Sequence, residues 1–327
     1  MSHQIAEANG RPAMMYAGEV PWHGLGTRLE SPATAAEAIQ AAGLNYLAEL
    51  KPLQTIEGKS VPQRRAVVRS DTGDVLGVVG NAFMPIQNYQ AFGFLDAIVA
   101  DGCLRYHTAG ALGKGERIWM LAKLPSHIRV KGTDDIVEKF LLLSNCHDGT
   151  AALRTLFTPI RVVCQNTLNL ALRNGRGQGI SITHKGDLAS KIQEAQRVLG
   201  LAETFYQDAA TKIDILVAHQ ASSGQIEDYF KLLYPDPEDS DNNRARNVRN
   251  RLTEIFETGQ GLDLPGVQGT MWAAYNAVTE WVDHHRPTRV SDPTLRASRR
   301  LESAWFGSGA KLKSRAWQEA LALALAG

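Results

Sequence analysis

The sequence predicts an α+β fold: an antiparallel sheet with flanking helices, followed by a mostly helical C-terminal region. Three observations lead there. Short apolar runs, split by Gly- and Asp-containing turns, crowd residues 61–187. One helical pattern, Tyr89–Val99, interrupts them. After Asp187 the apolar spacing takes up the helical period and keeps it. The chain divides accordingly into an irregular N-terminal arm (1–60), an α+β core (61–187) and a helical C-terminal region (188–327).

The elements follow in order. Pro21, Gly24, Gly26, Pro32 and Pro52 punctuate the arm. Within it, Ser31-Pro32-Ala33-Thr34 opens a helix that runs to about Ala42 and stops at Gly43. Gln63–Ser70 and Val75–Val79 form a hairpin across Asp71-Thr72-Gly73-Asp74. Leu104–Gly110 and Arg117–Leu124 form a second across Gly113-Lys114-Gly115. Ile128–Val130, Phe140–Ser144, Leu156–Val163 and Ile180–Thr183 are strands, and Asn166–Leu172 starts a helix. The helical region contains Asp187–His219, Gln225–Leu233, Asn243–Phe256, Gly269–Val282 and Lys311–Ala326.

Composition narrows the function classes. With 327 residues and 44% hydrophobic content, the chain can bury one large core or two modest ones. No apolar run reaches the roughly 18–20 residues that span a bilayer, and Met1–Glu7 has no signal-peptide pattern. Cys103, Cys146 and Cys164 form no CxxC pair, so neither a disulfide framework nor a structural zinc site is expected. The expectation is a cytoplasmic protein without membrane, metal or cofactor.

The net charge of +1 hides segregation. Residues 101–200 carry 14 basic and 8 acidic side chains, residues 201–283 carry 6 and 14, and residues 284–327 carry 8 and 3. Gly149–Gly186 has no acid at all, yet holds Arg154, Arg161, Arg173, Arg176 and Lys185. Solvated surfaces normally mix signs, so this run suggests an anionic partner.

Four strings draw attention. Pro21-Trp22-His23-Gly24-Leu25-Gly26-Thr27 places glycines beside an aromatic and an imidazole, either for close backbone approach to a phosphate or for anchoring Trp22. Gly110–Gly115 carries Lys114 but lacks the spacing of a phosphate-binding loop, and reads as a hairpin tip. Asn145-Cys146-His147-Asp148-Gly149 aligns thiol, imidazole and carboxylate. Strand neighbours point to opposite faces, so a structural turn is the first reading and a catalytic set the second. Thr158–Leu168 is a strand entering a helix, with Asn166 or Thr167 as N-cap and Arg161 and Arg173 beside it, the makings of an anion site. Arg244, Arg246, Arg249 and Arg251 spread over a helix, preceded by the acidic Asp236–Asp241 that can neutralise them.

The first string, Phe83-Met84-Pro85-Ile86-Gln87-Asn88, His147-Asp148-Gly149 and Arg161–Leu168 together resemble an uncharacterised phage/plasmid-like protein family, a domain of unknown function common in prophages and mobile elements. The resemblance runs to Ala304–Gly309 and implies a mobile-DNA context without an assigned activity. The order helix, antiparallel strands, helix is also topologically similar to single-strand annealing proteins of the Rad-fifty-two type. That similarity implies rings that bind single-stranded DNA in a basic groove, and carries over no residue.

The expected function is therefore binding of single-stranded DNA, as a homo-oligomer, in recombination or strand annealing in a bacterial host. Arg154, Arg161, Arg173, Arg176, Lys185 and Lys114 are the expected phosphate contacts, with Tyr106 and Trp119 stacking on bases. A metal-dependent nuclease or other hydrolase is the enzymatic alternative, weakened by the sparse acids of the core. A non-catalytic host-defence antagonist, using the acidic 201–283 block, is the third. Arg161 is the sharpest expectation: with no local carboxylate, its charge is expected to meet a bound phosphate, the alternative being an ion pair with a distant acid such as Asp148.

Overall fold

The computed structural model describes residues 7–8, 11–17, 26–30, 34–99, 105–151, 153–161, 163, 179–181, 188–236, 243–288, 290 and 293–326. The α+β architecture is as expected. In chain order the strands are β1 (Glu7–Ala8), β2 (Arg11–Pro12), β3 (Met14–Ala17), β4 (Thr27–Leu29), β5 (Ala48–Gln54), β6 (Ser60–Arg69), β7 (Val75–Gly80), β8 (Arg105–Leu112), β9 (Arg117–Arg129), β10 (Ile136–Cys146), β11 (Arg154–Arg161) and β12 (Gly179–Ser181). The helices are α1 (Ala35–Ala41), α2 (Asn88–Val99), α3 (Leu188–Ala218), α4 (Ser223–Leu233), α5 (Arg244–Thr258), α6 (Met271–Glu280), α7 (Pro293–Trp305) and α8 (Ser308–Ala326). A π-helical segment, Trp281–His285, extends α6.

A seven-stranded sheet runs in the order β12-β11-β10-β9-β8-β3-β4, antiparallel except for the β3–β4 pair. The interior strand β10 is buried without alternation from Lys139 to Cys146 because both faces are covered. Leu141 and Leu143 face the main core with α3 and α6, while Phe140 and Leu142 join a second cluster with Trp119 and Leu301 of α7. Trp119 meets Trp305 edge-on, 4.9 Å between ring centroids. Trp119 and Tyr106 are 1% and 0% exposed, which corrects their expected role as stacking platforms. Burying both sides of the sheet turned these aromatics into core.

The N-terminal segment also departs from expectation. Met14–Ala17 is a fully buried strand inserted between β4 and β8, not part of an arm. Four consecutive buried residues show no alternation, so a periodicity reading passes over them. The expected helix is α1, closed by a capping box in which Thr34 and Glu37 exchange hydrogen bonds. The first expected hairpin is β6–β7, joined by β5 into a separate three-stranded sheet. The second is β8–β9. The expected helix start at 166–172 lies outside the described residues.

Long-range polar contacts lock helices to sheet. The β9–β10 register shifts between Glu138 and Phe140. There the Tyr206 hydroxyl of α3 donates to the Phe140 carbonyl (2.5 Å) and accepts from the Phe140 amide (2.9 Å). Helix α6 is buried nearly all round, from Met271 to Thr279, as suits a central helix. Its Trp272 indole donates to Asp135 (2.9 Å), which also accepts from Arg161 Nε of β11 (2.6 Å). The Arg161 guanidinium further donates to the carbonyls of Gln260 (3.3 Å) and Gly261 (2.7 Å). Both charged side chains are 0% exposed.

Removing one member of this pair strands a buried charge, a loss of about 3–5 kcal/mol. Asp135→Ala and Arg161→Ala are therefore each expected to lower the urea midpoint by that equivalent. A double variant, Asp135→Leu with Arg161→Met, is expected to lose less than either single variant, and additive losses would count against the pair as a unit.

Candidate functional site

The residues singled out in the sequence scatter rather than converge. Arg161 is a correction: it is sealed inside the protein with Asp135 as its counter-ion, so it presents no charge to a phosphate. The acid it needs lies 26 residues back, beyond the acid-free run. Arg154 is exposed on β11, opposite Ser144 and Ser181. Lys114 is exposed at the β8–β9 tip, 3.7 Å from Asp74. Arg173, Arg176, Lys185, Trp22, His23, Asn166 and Thr167 lie outside the described residues.

The hairpin tip is not free. The Arg69 guanidinium donates to the Lys114 carbonyl (2.9 Å), and the Tyr46 hydroxyl donates to the Gly115 carbonyl (2.7 Å). Gly115 has φ +107°, and a Cβ there would lie 2.8 Å from the Tyr46 oxygen, so this close docking requires glycine.

The strings Phe83–Asn88 and His147–Gly149 do meet, but as joinery between the two sheets. Gln87 clasps the backbone of Ala48 in both directions, at 2.9 and 3.0 Å. Asn145 donates to the Ile86 carbonyl (3.0 Å). The Asn88 amide nitrogen donates to the Leu44 carbonyl (2.8 Å), which leaves its oxygen to accept from His147 Nε2 (2.8 Å). His147 is 1% exposed, and burial pushes its pKa down from 6.5 to about 4, Asp148 opposing. Burial likewise raises the Cys146 thiol above its ordinary value. A neutral imidazole and a protonated thiol, both enclosed, correct the reading of His147 as a functional residue and of its string as a catalytic set.

The concave site lies elsewhere, in the helical region. A cavity of ≈1020 Å³ opens between α5, the π-helical segment, α7 and the start of α8. Four arginines line it: Arg244, Arg286, Arg299 and Arg300. Among the described residues no carboxylate does. Asn243, Asn247, Thr288, Ser303 and Ser308 supply neutral polar groups, and Tyr234 and Trp281 supply aromatic walls.

Each arginine is placed by local structure. Arg244 begins α5, where an N-terminus favours anions. Its neighbours on that helix are occupied elsewhere: Arg249 with Asp236 (2.5 Å), Arg251 with Glu254 (2.5 Å), Arg246 with Asn243 (2.5 Å). The π-helical segment ends with the Arg286 amide donating to the Trp281 carbonyl (2.6 Å), and the Arg286 side chain donates to Ser308 (3.2 Å). Such segments are frequent at functional sites. Arg299 pairs with Glu302 at 3.3 Å in an exposed, salt-screened contact. Burial lowers the Arg300 pKa from its ordinary value, opposed by Asp283 and aided by Arg296. Below the cavity, Lys313 donates to Asp283 at 2.8 Å, both side chains buried.

A profile of the family described as a domain of unknown function (DUF932) matches residues 75–305. The chain belongs to this family. No curated protein and no solved structure matches it. The DUF932 span runs from β7 through α7, so it includes the large sheet from β8 to β12 and every cavity-lining residue except Ser308. Among the described residues no group of three His, Cys, Asp or Glu is placed to hold a metal ion, and no helix is long and apolar enough to cross a membrane.

Sequence reasoning missed the arginine cavity. The signal was present in the basic excess after residue 283 and in Arg244, but α7 was not anticipated. Its polar face and its few apolar positions, Leu301 and Trp305, offer a weak pattern.

The histidine at the sheet junction yields a pH prediction. His147 binds its proton near pH 6.5 when unfolded and near 4 when folded, so the unfolded chain holds more protons between these values. Its stabilising contribution is complete above about pH 6.5 and is lost as pH falls toward 4, by up to about 3 kcal/mol. His147→Gln is expected to flatten the fall in melting temperature across that window. An unchanged pH profile in the variant would assign the acid sensitivity to other groups.

Proposed function

We propose that the protein binds single-stranded DNA through the arginine-lined cavity, without strong sequence preference. The observation that carries this reading is the convergence of Arg244, Arg286, Arg299 and Arg300 on one concavity, with no carboxylate among its described lining residues. Guanidinium groups pair bidentately with phosphate oxygens, and a cluster of them favours a polyanion. A concave cavity of ≈1020 Å³ suits a flexible backbone better than a rigid duplex. Tyr234 and Trp281 add aromatic surface beside the cations, a combination suited to single strands.

Under this reading the DNA-binding surface is centred on the helical region. Exposed Arg154 and Lys114 serve, at most, as outlying phosphate contacts. The protein then acts in recombination or strand annealing for a phage or mobile element, in the cytoplasm of a bacterial host, as a homo-oligomer. Among the described residues the outermost strands of the two sheets are β12 and β4 in one and β5 and β7 in the other, and these are the edges at which copies of the chain would pair. Light scattering at micromolar concentration tests that assembly, and a monomeric mass would remove it.

The DNA experiment is a gel shift with single- and double-stranded oligonucleotides, with and without Mg²⁺. Single strands are expected to bind preferentially, with an affinity that falls steeply with salt. Arg244→Ala combined with Arg286→Ala is expected to reduce the slope of log affinity against log salt by about 2, near 1 for each lost phosphate contact. No binding at about 50 mM salt would overturn the reading.

A further inference from the structure

The pair β5–β6 extends past its own sheet. Strand β7 pairs with β6 only from Arg64 onward, so Ser60–Gln63 and the end of β5 stand beyond it as a two-stranded ribbon, closed by the turn at 55–59. None of residues 51–65 is buried. Such a ribbon orders backbone without burying apolar side chains, which by itself is marginal. Its charge is one-sided: Lys51, Lys59, Arg64 and Arg65 stand against Glu57 alone. Lys51 pairs loosely with the exposed Glu49, at 3.4 Å. Lys59, Arg64 and Arg65 are exposed, and among the described residues they have no ion-pair partner.

We infer that this ribbon enters the major groove of duplex DNA. The contact goes beyond the single-strand reading and does not rest on the cavity. Free cations on both strands of a projecting element complement the phosphates that border a groove. Paired strands lie about 4.8 Å apart, and the B-form major groove, about 12 Å wide, admits such a ribbon with its side chains, whereas the minor groove, about 6 Å wide, does not. The major groove of duplex RNA is too deep and narrow for it. Ile56, fully exposed at the turn, is an apolar tip suited to thymine methyl groups. The β5–β6 register shifts between Pro52 and Gln54, and Gln63 on the facing strand has φ +60°, the left-handed region that a non-glycine residue rarely adopts. A bulge of this kind bends the ribbon, which suits a helical groove.

The test is fluorescence anisotropy on the full chain. The probes are a blunt DNA duplex of about 20 base pairs, an RNA duplex of that length, a single strand of about 12 nucleotides, and the DNA duplex carrying that strand as a tail. The tailed duplex is expected to bind about tenfold tighter than the single strand, because linked contacts reinforce each other. Lys59→Ser combined with Arg64→Thr and Arg65→Thr is expected to abolish that gain while single-strand affinity and the thermal melt stay unchanged. The slope of log affinity against log salt for the blunt DNA duplex is expected to fall by about 2.7, near 0.9 for each lost phosphate contact. Lys59→Glu, at the turn, provides a second variant if the first fails to fold, and is expected to weaken duplex binding alone. Variant-sensitive binding of the DNA duplex without single-strand binding overturns the cavity reading and leaves the ribbon standing. No gain from the duplex overturns the ribbon and leaves the single-strand reading standing. Binding of no probe overturns both. Equal loss on the DNA and RNA duplexes overturns the groove assignment. A fall in mass by light scattering in the folded variant assigns the ribbon to a second copy of the chain and overturns the inference.

Discussion

A charge removed from water must meet its opposite, and in this protein that requirement joins the two halves of the chain. Arg161 on β11 and Asp135, just before β10, are both fully buried, and their contact is made where the sheet meets the helices. The third partner, Trp272, lies 137 residues beyond Asp135 and belongs to the most enclosed helix, α6. The remaining guanidinium donors reach Gln260 and Gly261 in the segment between α5 and α6. One ionic cluster thus fixes the position of α6 against the sheet. Helices α3, α5 and α8 pack around α6 and inherit that position. Such a cluster confers orientation more than raw stability, because desolvation offsets much of its Coulombic attraction.

The opposite end of the large sheet is held differently. Neutral hydrogen bonds from Gln87, Asn88 and Asn145, together with the buried His147, connect the three-stranded sheet to β10. The backbones come close enough that Gly77 cannot carry a side chain: a Cβ would lie 2.6 Å from the Asp148 Cα. The strings that stand out in the sequence between residues 83 and 161 therefore describe joints. They combine residue types normally read as chemical because buried amides and imidazoles satisfy backbone groups that strands and turns leave over.

The arginine cavity depends on both arrangements indirectly. Helix α7 places Leu301 and Trp305 against the outer face of the sheet while Arg299, Arg300 and Ser303 line the cavity. The π-helical segment redirects the chain after α6, placing Arg286 opposite Arg244 at the start of α5. An arginine-rich concavity, with no carboxylate among its described lining residues, arises from the meeting of four elements. Asp236, after α4, is engaged by Arg249 and Lys231, and Glu254 on α5 by Arg251.

The sequence by itself determined the local architecture: both hairpins, α1, α2, the long α3 and the other helices of the C-terminal half except α7. Turn chemistry, cap residues and apolar period act over a few residues, so they are legible without tertiary contacts. Burial and partnership were not legible. Arg161 stands in a run without acids, yet its carboxylate waits 26 residues upstream in the connection between β9 and β10, paired only once the sheet forms. Trp119 and Tyr106 alternate like residues of a half-exposed hairpin, but α7 and α2 cover the faces they occupy. The cavity could not be seen as a site because Arg244, Arg286, Arg299 and Arg300 belong to separate patterns, each ordinary as a solvated charge. Only the packing of helices around α6 brought those charges together, since spatial convergence of distant residues has no period in the sequence.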